Sequence, residues 1–320
     1  MDWKREIQGA ERRIRPHVLE TPLERSHYLS QVGDADVYLK LEHLQHTGSF
    51  KLRGATNKLL LLSPEQLRRG VIAASTGNHG MAVSYAASRL GTSATIYMKE
   101  GTLAEKIELI RALGGTTVFY GDNPVHAEKK AREVSLQKGQ VFISPYNDPQ
   151  VIAGQGTLGV ELERQLPQLD AIFISVGGGG LVSGIAGYLK AAGKSAKIVA
   201  CWPEHSRVMY ECMKAGRVIE FPEQETISDS TAGGVEDGAI TLELCRKLID
   251  DCVLVSEAEI VAAMKLILEK ERWLVEGAAA LPVAAYLQQA RKYAGKKVAI
   301  LLCGRNIPFK RLQAVLNGTS

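Results

Sequence analysis

A chain of 320 residues is long enough to bury a sizeable core, and two compact units are the natural expectation. Apolar residues make up 45 % and charged residues 23 %, and the formal net charge of +4 comes with no Lys/Arg run dense enough for a nucleic-acid stripe. The longest apolar runs, near residues 59–62 and 278–281, are far too short to span a bilayer, so a membrane partner is not expected either.

The first residues, Met1-Asp2-Trp3-Lys4-Arg5-Glu6, contain no apolar segment of the secretory type. The five cysteines, Cys201, Cys212, Cys245, Cys252 and Cys303, are an odd number with no C-x-x-C pair, which speaks against a disulfide framework or a thiolate metal site. A cytoplasmic enzyme with reduced thiols is the expectation.

Residues 1–66 hold one clear strand, 37–41, followed by Ser49-Phe50-Lys51-Leu52-Arg53-Gly54-Ala55. Ser49 reads as a helix N-cap, which puts Lys51 in the first turn, at the positive end of the macrodipole. That environment disfavours an ammonium and suits a Schiff-base lysine; taken alone, the segment fits a solvated helix lysine better.

From about residue 70, strands at 71–74, 94–98, 117–120 and 141–144 alternate with helices at 78–90, 104–113 and 125–138. Such alternation predicts a parallel α/β unit. At its first strand-to-helix junction lies Ser75-Thr76-Gly77-Asn78-His79-Gly80, which suits a carboxylate or is simply a capping turn with Ser75 or Thr76 as N-cap.

After Pro145 the pattern resumes with a helix at 151–165 and strands at 171–176, 197–202, 252–255 and 298–303. Ser256 and Glu259 have capping-box spacing. The expected architecture is a larger domain of residues 1–66 plus 148–320, interrupted by a small four-stranded domain of 67–147, with the active cleft between them.

Val176-Gly177-Gly178-Gly179-Gly180-Leu181 joins a predicted strand to a predicted helix. Four glycines let the main chain wrap a phosphate; the other reading, a tight strand-to-helix turn, rarely needs four in a row. No lysine follows for a Walker loop, and Ser183 stands where G-x-G-x-x-G needs its third glycine. The last strand runs into Cys303-Gly304-Arg305-Asn306, where Cys303 is a core thiol or faces a ligand at the strand's carboxyl end. A lysine suited to a Schiff base and a separate phosphate cradle together suggest a phosphate-anchored aldehyde cofactor.

In order and approximate spacing, the 49–55 motif, Gly77-Asn78-His79, Ala153-Gly154-Gln155-Gly156-Thr157 and the glycine tetrad resemble the serine/threonine dehydratase and serine racemase family of fold type II pyridoxal-phosphate enzymes. The resemblance runs from Thr21-Pro22-Leu23 to Asn306 and implies a two-domain α/β fold of the tryptophan synthase β type, with parallel-rich sheets flanked by helices. It implies pyridoxal 5′-phosphate held by Lys51 through a Schiff base, with Phe50 against the ring, Asn78 on the 3′-oxygen and Cys303 facing the ring nitrogen. Gly177, Gly178, Gly179, Gly180 and Leu181 would hold the phosphate. Ser75, Asn78, His79 and Gln155 would bind the amino-acid substrate, with Lys51 and Thr76 as the catalytic pair.

The implied reaction removes water and ammonia from a β-hydroxy amino acid, L-threonine or L-serine by default, with 3-hydroxyaspartate or a phenylserine also open. Thr76 stands where the family's racemases have serine, so racemisation by Lys51 and Thr76 is the alternative. A β-replacement synthase and a non-catalytic phosphate-binding protein are further readings. Trp202 and Val208 occupy the family's cation-ligand positions and cannot bind a metal ion, which leaves only Glu204 nearby and an expectation of no metal. Arg305 hints at an acidic substrate side chain or simply faces solvent. Only 17 residues follow Cys303, so no regulatory domain is expected, and a homodimer is the family's habit.

Overall fold

The computed structural model describes residues 1–318; residues 319–320, at the end of the expected larger domain, lie outside the described residues. The strands are β1 (Leu23–Arg25), β2 (Asp36–Lys40), β3 (Val71–Ala74), β4 (Ala94–Met98), β5 (Gly115–Phe119), β6 (Val141–Phe142), β7 (Ala171–Ser175), β8 (Lys197–Pro203), β9 (Asp251–Val255) and β10 (Lys297–Leu301). They form one sheet in the order β1-β2-β10-β7-β8-β9 and another in the order β5-β4-β3-β6. Every pairing is parallel except that of β1 with β2.

The central strands of the larger sheet are apolar throughout because helices cover both faces. All five residues of β7, Ala171-Ile172-Phe173-Ile174-Ser175, are buried. In the smaller sheet the two-residue period is visible in the packing. Val71 and Ala73 enter one core, while Ile72 between them packs with Ala127, Ala131 and Val134 of the helix Pro124–Lys138.

Most expected elements appear within a few residues of their expected bounds, and the capping box forms, with Ser256 Oγ accepting from Glu259 N–H. Residues 1–66 carry a second strand, β1, which at three residues is too short to show a period. The expected strand 117–120 begins earlier, at Gly115, a residue that reads as a turn. The helix Gly277–Gln289 holds Pro282 in its interior, and that proline hides it from a periodicity reading.

Ser49 is not an N-cap. The helix Lys51–Leu60 begins after Phe50 without a side-chain cap, and Ser49 instead bridges to Gly304 in extended conformation. Lys51 nevertheless opens the helix. Leu52, Ala55 and Leu59 of that helix belong to the core of the smaller sheet.

Candidate active site

The carboxyl ends of β3, β7 and β10 converge on one cleft of about 620 Å³. This is where a parallel α/β fold presents ligand-binding loops. Phe50, Lys51, Ser75, Thr76, Asn78 and His79 line it. Gly177, Gly178, Gly179, Gly180, Leu181 and Cys303 line it too.

Lys51 Nζ donates to the carbonyl of Pro145 at 2.9 Å and lies 5.2 Å from the Phe50 ring centroid. Burial lowers its pKa to about 8, partly opposed by Cys303 and Glu276. Desolvation is thus the main cause of the amine's readiness to lose its proton.

A buried ionic cluster fixes the helix that carries Lys51. Arg53, two residues on, is fully buried and pairs with Glu42 and Glu161, both at 2.7 Å. Lys40 meets the same Glu161 at 2.6 Å, and Thr21 donates to Glu42 at 2.6 Å. Arg53 and Lys40 hold Glu161 well below the ordinary carboxylate range against the cost of its burial. Gly54 lies flush on the next helix, Pro149–Gln165, because a Cβ there would sit 2.5 Å from Gln155 Nε2.

Gln155 therefore serves packing. Its side chain accepts from Gly54 N–H at 3.1 Å and does not line the cleft, in contrast to the substrate-binding role expected from the motif. His79 lines the cleft, with its ring already engaged. Its ring Nε2 is bonded to the carbonyl of Ile143 at 2.8 Å, and burial depresses its pKa to about 3, so the imidazole is neutral and its donor is committed. The helix Asn78–Arg89 takes Gly77 as its N-cap, and Ser75 Oγ accepts from Gly77 N–H at 3.1 Å, capping the turn rather than the helix.

The Asn78 carboxamide is pinned at both ends. Its Oδ1 accepts from Asn306 Nδ2 at 2.6 Å, and its Nδ2 donates to Glu276 Oε1 at 2.8 Å. Asn306 N–H also donates to Glu276 Oε2 at 2.9 Å. Glu276 is buried in the cleft wall, and desolvation raises its pKa to about 7. The sequence reading missed this residue, although a lone carboxylate within Leu274-Val275-Glu276-Gly277-Ala278-Ala279-Ala280-Leu281 is a visible signal. It missed Ser230 too, whose Oγ lies 3.3 Å from Asn78 Nδ2.

Three observations bear on whether the cleft fits pyridoxal phosphate. At the tetrad a Cβ on Gly178 would lie 2.5 Å from the Tyr146 ring, and one on Gly177 would lie 2.9 Å from the Thr231 carbonyl. Gly179 has φ +85°, which favours glycine, and the helix Gly180–Ala191 starts directly after it, so backbone donors face a phosphate-sized space. Cys303 receives a hydrogen bond from Ser175 Oγ at 3.5 Å, and burial pushes its thiol up to about 12, which makes it a neutral neighbour for a pyridine nitrogen. The cleft fits the cofactor.

Trp202 is buried at the end of β8, Val208 begins the helix Val208–Ala215, and Glu204 is exposed between them. Arg305 is exposed and does not line the cleft. Among the described residues no helix is long and apolar enough to cross a membrane.

Residues 14–304 match the pyridoxal-phosphate dependent enzyme family. The chain is 39 % identical over 312 residues to an L-threonine ammonia-lyase of Thermotoga maritima, covering 98 % of this chain and 77 % of that one. It is 34 % identical over 307 residues to a beta-hydroxyaspartate dehydratase of Paracoccus denitrificans, covering 96 % and 97 % respectively. The solved structure of the processed form of threonine deaminase isoform 2 from Solanum lycopersicum superposes with a TM-score of 0.93 at 35 % identity, covering 98 % and 92 %. Since these likenesses run nearly end to end, the chain belongs to the pyridoxal-phosphate dependent enzyme family and, within it, to the serine/threonine dehydratase and serine racemase group.

Proposed function

We propose that the protein is a dehydratase (ammonia-lyase) that converts a β-hydroxy amino acid of the threonine or serine type into a 2-oxo acid and ammonia. The observation that carries this reading is the convergence of Lys51, the 75–79 turn and the glycine tetrad on one cleft. The two units would be residues 1–66 plus 148–320 and residues 67–147, a division supported by the two separate sheets, with the helix Lys51–Leu60 packing into the core of the smaller one.

Lys51 would hold the cofactor aldehyde, the backbone of 177–181 its phosphate, Phe50 its ring face, Asn78 its 3′-oxygen and Cys303 its ring nitrogen. Bound there, pyridoxal phosphate supplies an electron sink for the bond broken at Cα. The substrate carboxylate is placed by Ser75 and the first N–H groups of the helix Asn78–Arg89, since the His79 ring is committed elsewhere. Lys51 takes the Cα proton, and a pKa near 8 lets the amine accept a proton and give it up again near neutral pH. The same amine, now protonated, is the donor at hand for the departing β-hydroxyl.

Thr76 also lines the cleft, which keeps racemisation as a second reading. The five cysteines are all free, which supports a reducing, cytoplasmic setting; a homodimer rests on the resemblance alone.

The test is 2-oxo acid and ammonia release from β-hydroxy amino acids by wild type and Lys51→Ala. Release that requires the lysine is the expected result. A wild type that binds the cofactor and forms the D-enantiomer without 2-oxo acid would replace this reading with racemisation.

A further inference from the structure

Similarity to both a threonine and a hydroxyaspartate enzyme leaves open the charge of the substrate side chain. The cleft's own charges address it. Its wall carries Lys51, Lys106, Lys129 and Arg132 against Glu128, Asp229, Glu236 and Glu276, an even balance among the described residues.

The pairing within that balance is specific. Lys106, on the helix Ala104–Ala112, meets Asp229 at 3.5 Å, and Arg311, on the helix Phe309–Asn317, meets the same Asp229 oxygen at 3.4 Å. Arg132 meets Glu236 at 2.6 Å and Glu128 at 2.7 Å. Lys106 and Arg132 come from helices on the smaller sheet, and Asp229 and Glu236 come from one loop segment of the larger unit, so both ion pairs cross the cleft. Glu236 is held further by its N–H, which donates to Tyr146 Oη at 2.8 Å.

We infer that Asp229 is a specificity-determining residue that masks Lys106 and Arg311 and so restricts the cleft to amino acids with an uncharged β-substituent. This rests on the dehydratase reading and narrows it. A second substrate carboxylate would have to displace Asp229 or Glu236 from its cation. It would also enter beside Asp229 and Glu236, where Lys106 and Arg132 are already paired, Arg311 does not line the cleft and Lys129 is solvent-exposed at the rim. Like charges brought together in a partly desolvated site are strongly disfavoured, whereas a hydroxyl and a methyl group ask nothing of these pairs. Arg305 does not alter the balance, because it lies outside the cleft.

The experiment uses the holoenzyme and two readouts. The first is kcat/KM for L-threonine and for L-threo-3-hydroxyaspartate, from 2-oxo acid release. The second needs no elimination: half-saturation of the change in the cofactor's visible band by L-2-aminobutyrate and by L-aspartate, neither of which carries a β-hydroxyl. Wild type is expected to favour the neutral member of each pair by about 10-fold or more.

Asp229→Asn should move both ratios about 10-fold toward the acidic member, and Lys106→Gln should move them the opposite way. Asp229→Glu, which restores the carboxylate, should keep the wild-type preference. If wild type prefers the dicarboxylate, or if Asp229→Asn leaves the ratios in place or shifts them no more than Asp229→Glu does, the inference is wrong. If neither β-hydroxy acid yields a 2-oxo acid, the dehydratase reading fails instead, and the binding ratios still decide the role of Asp229.

Discussion

Replacing Glu276 by glutamine separates the charge of this buried side chain from its shape. Burial raises the pKa of this carboxyl from an ordinary 4.5 to about 7, because it disfavours the ionised form more than Asn78 and Asn306 N–H favour it. Between these two values the folded state holds a proton that the unfolded chain has released. Stability therefore falls as pH rises through that window, and the loss is complete above about pH 7. The difference corresponds to about 3 kcal/mol.

Glutamine carries no ionisation penalty; its NH2 replaces an oxygen that accepts from Asn78 Nδ2 or Asn306 N–H, at a cost that does not depend on pH. Relative to wild type, the melting temperature of Glu276→Gln apoenzyme should therefore rise by on the order of 5 °C from pH 5 to pH 8 in a chain of this size. Thermal melts of both proteins at pH 5, 6, 7 and 8, followed by circular dichroism after removal of the cofactor, read this directly. A difference between the two that stays constant from pH 5 to pH 8 would refute the account of Glu276 as a carboxyl ionised at a cost. A wild type that loses stability from pH 5 to pH 8 in step with the variant would place the responsible group elsewhere.

Gly178→Ala drives a Cβ to 2.5 Å from a Tyr146 ring that is also tethered through its hydroxyl, so cofactor affinity measured by visible titration should weaken at least about 10-fold. Gly234→Ala, where a Cβ meets nothing within 4 Å, should leave that affinity within about twofold. Arg53→Met strips two buried carboxylates of their main partner and should cost about 3–5 kcal/mol in denaturant unfolding. Cofactor capture by the apoenzyme should rise with pH to half its plateau near pH 8, since only the neutral Lys51 amine attacks the aldehyde. A plateau already reached at pH 6.5, or one deferred beyond pH 10, would show that burial is not what sets that amine.

The parts of the site legible in the sequence are those where chemistry forces an unusual local composition. Four consecutive glycines were read as a cradle because no side chain fits there, and the neighbouring Tyr146 ring and Thr231 carbonyl show why. Lys51 stood out by its place at a helix start, although its depressed pKa comes mainly from burial that no local window reveals. Gln155 misled because motif membership does not distinguish a residue that touches ligand from one that locks helices together. That the His79 ring is engaged is not legible in the sequence, because its partner, the Ile143 carbonyl, lies 64 residues away. Glu276 was missed because its meaning lies in long-range partners, Asn78 and Asn306, whose convergence is a property of the sheet order rather than of spacing.

The buried cluster around Arg53 is best understood by asking what the helix Lys51–Leu60 must satisfy. Leu52, Ala55 and Leu59 commit one of its faces to the core of the smaller sheet. Gly54 presses against Gln155 on another face, and a Cβ on Gly154 would come within 2.6 Å of the Arg53 carbonyl. Hydrophobic contacts alone tolerate small rotations and slides, since they carry no directional preference. A guanidinium forked between Glu42 and Glu161 does not, because a displacement of an ångström breaks several charge-assisted hydrogen bonds at once. Burying that cluster yields little net stability compared with an apolar packing of equal volume. Its return is positional: it fixes the azimuth of the helix two residues from the amine, and with it the direction in which Lys51 enters the cleft.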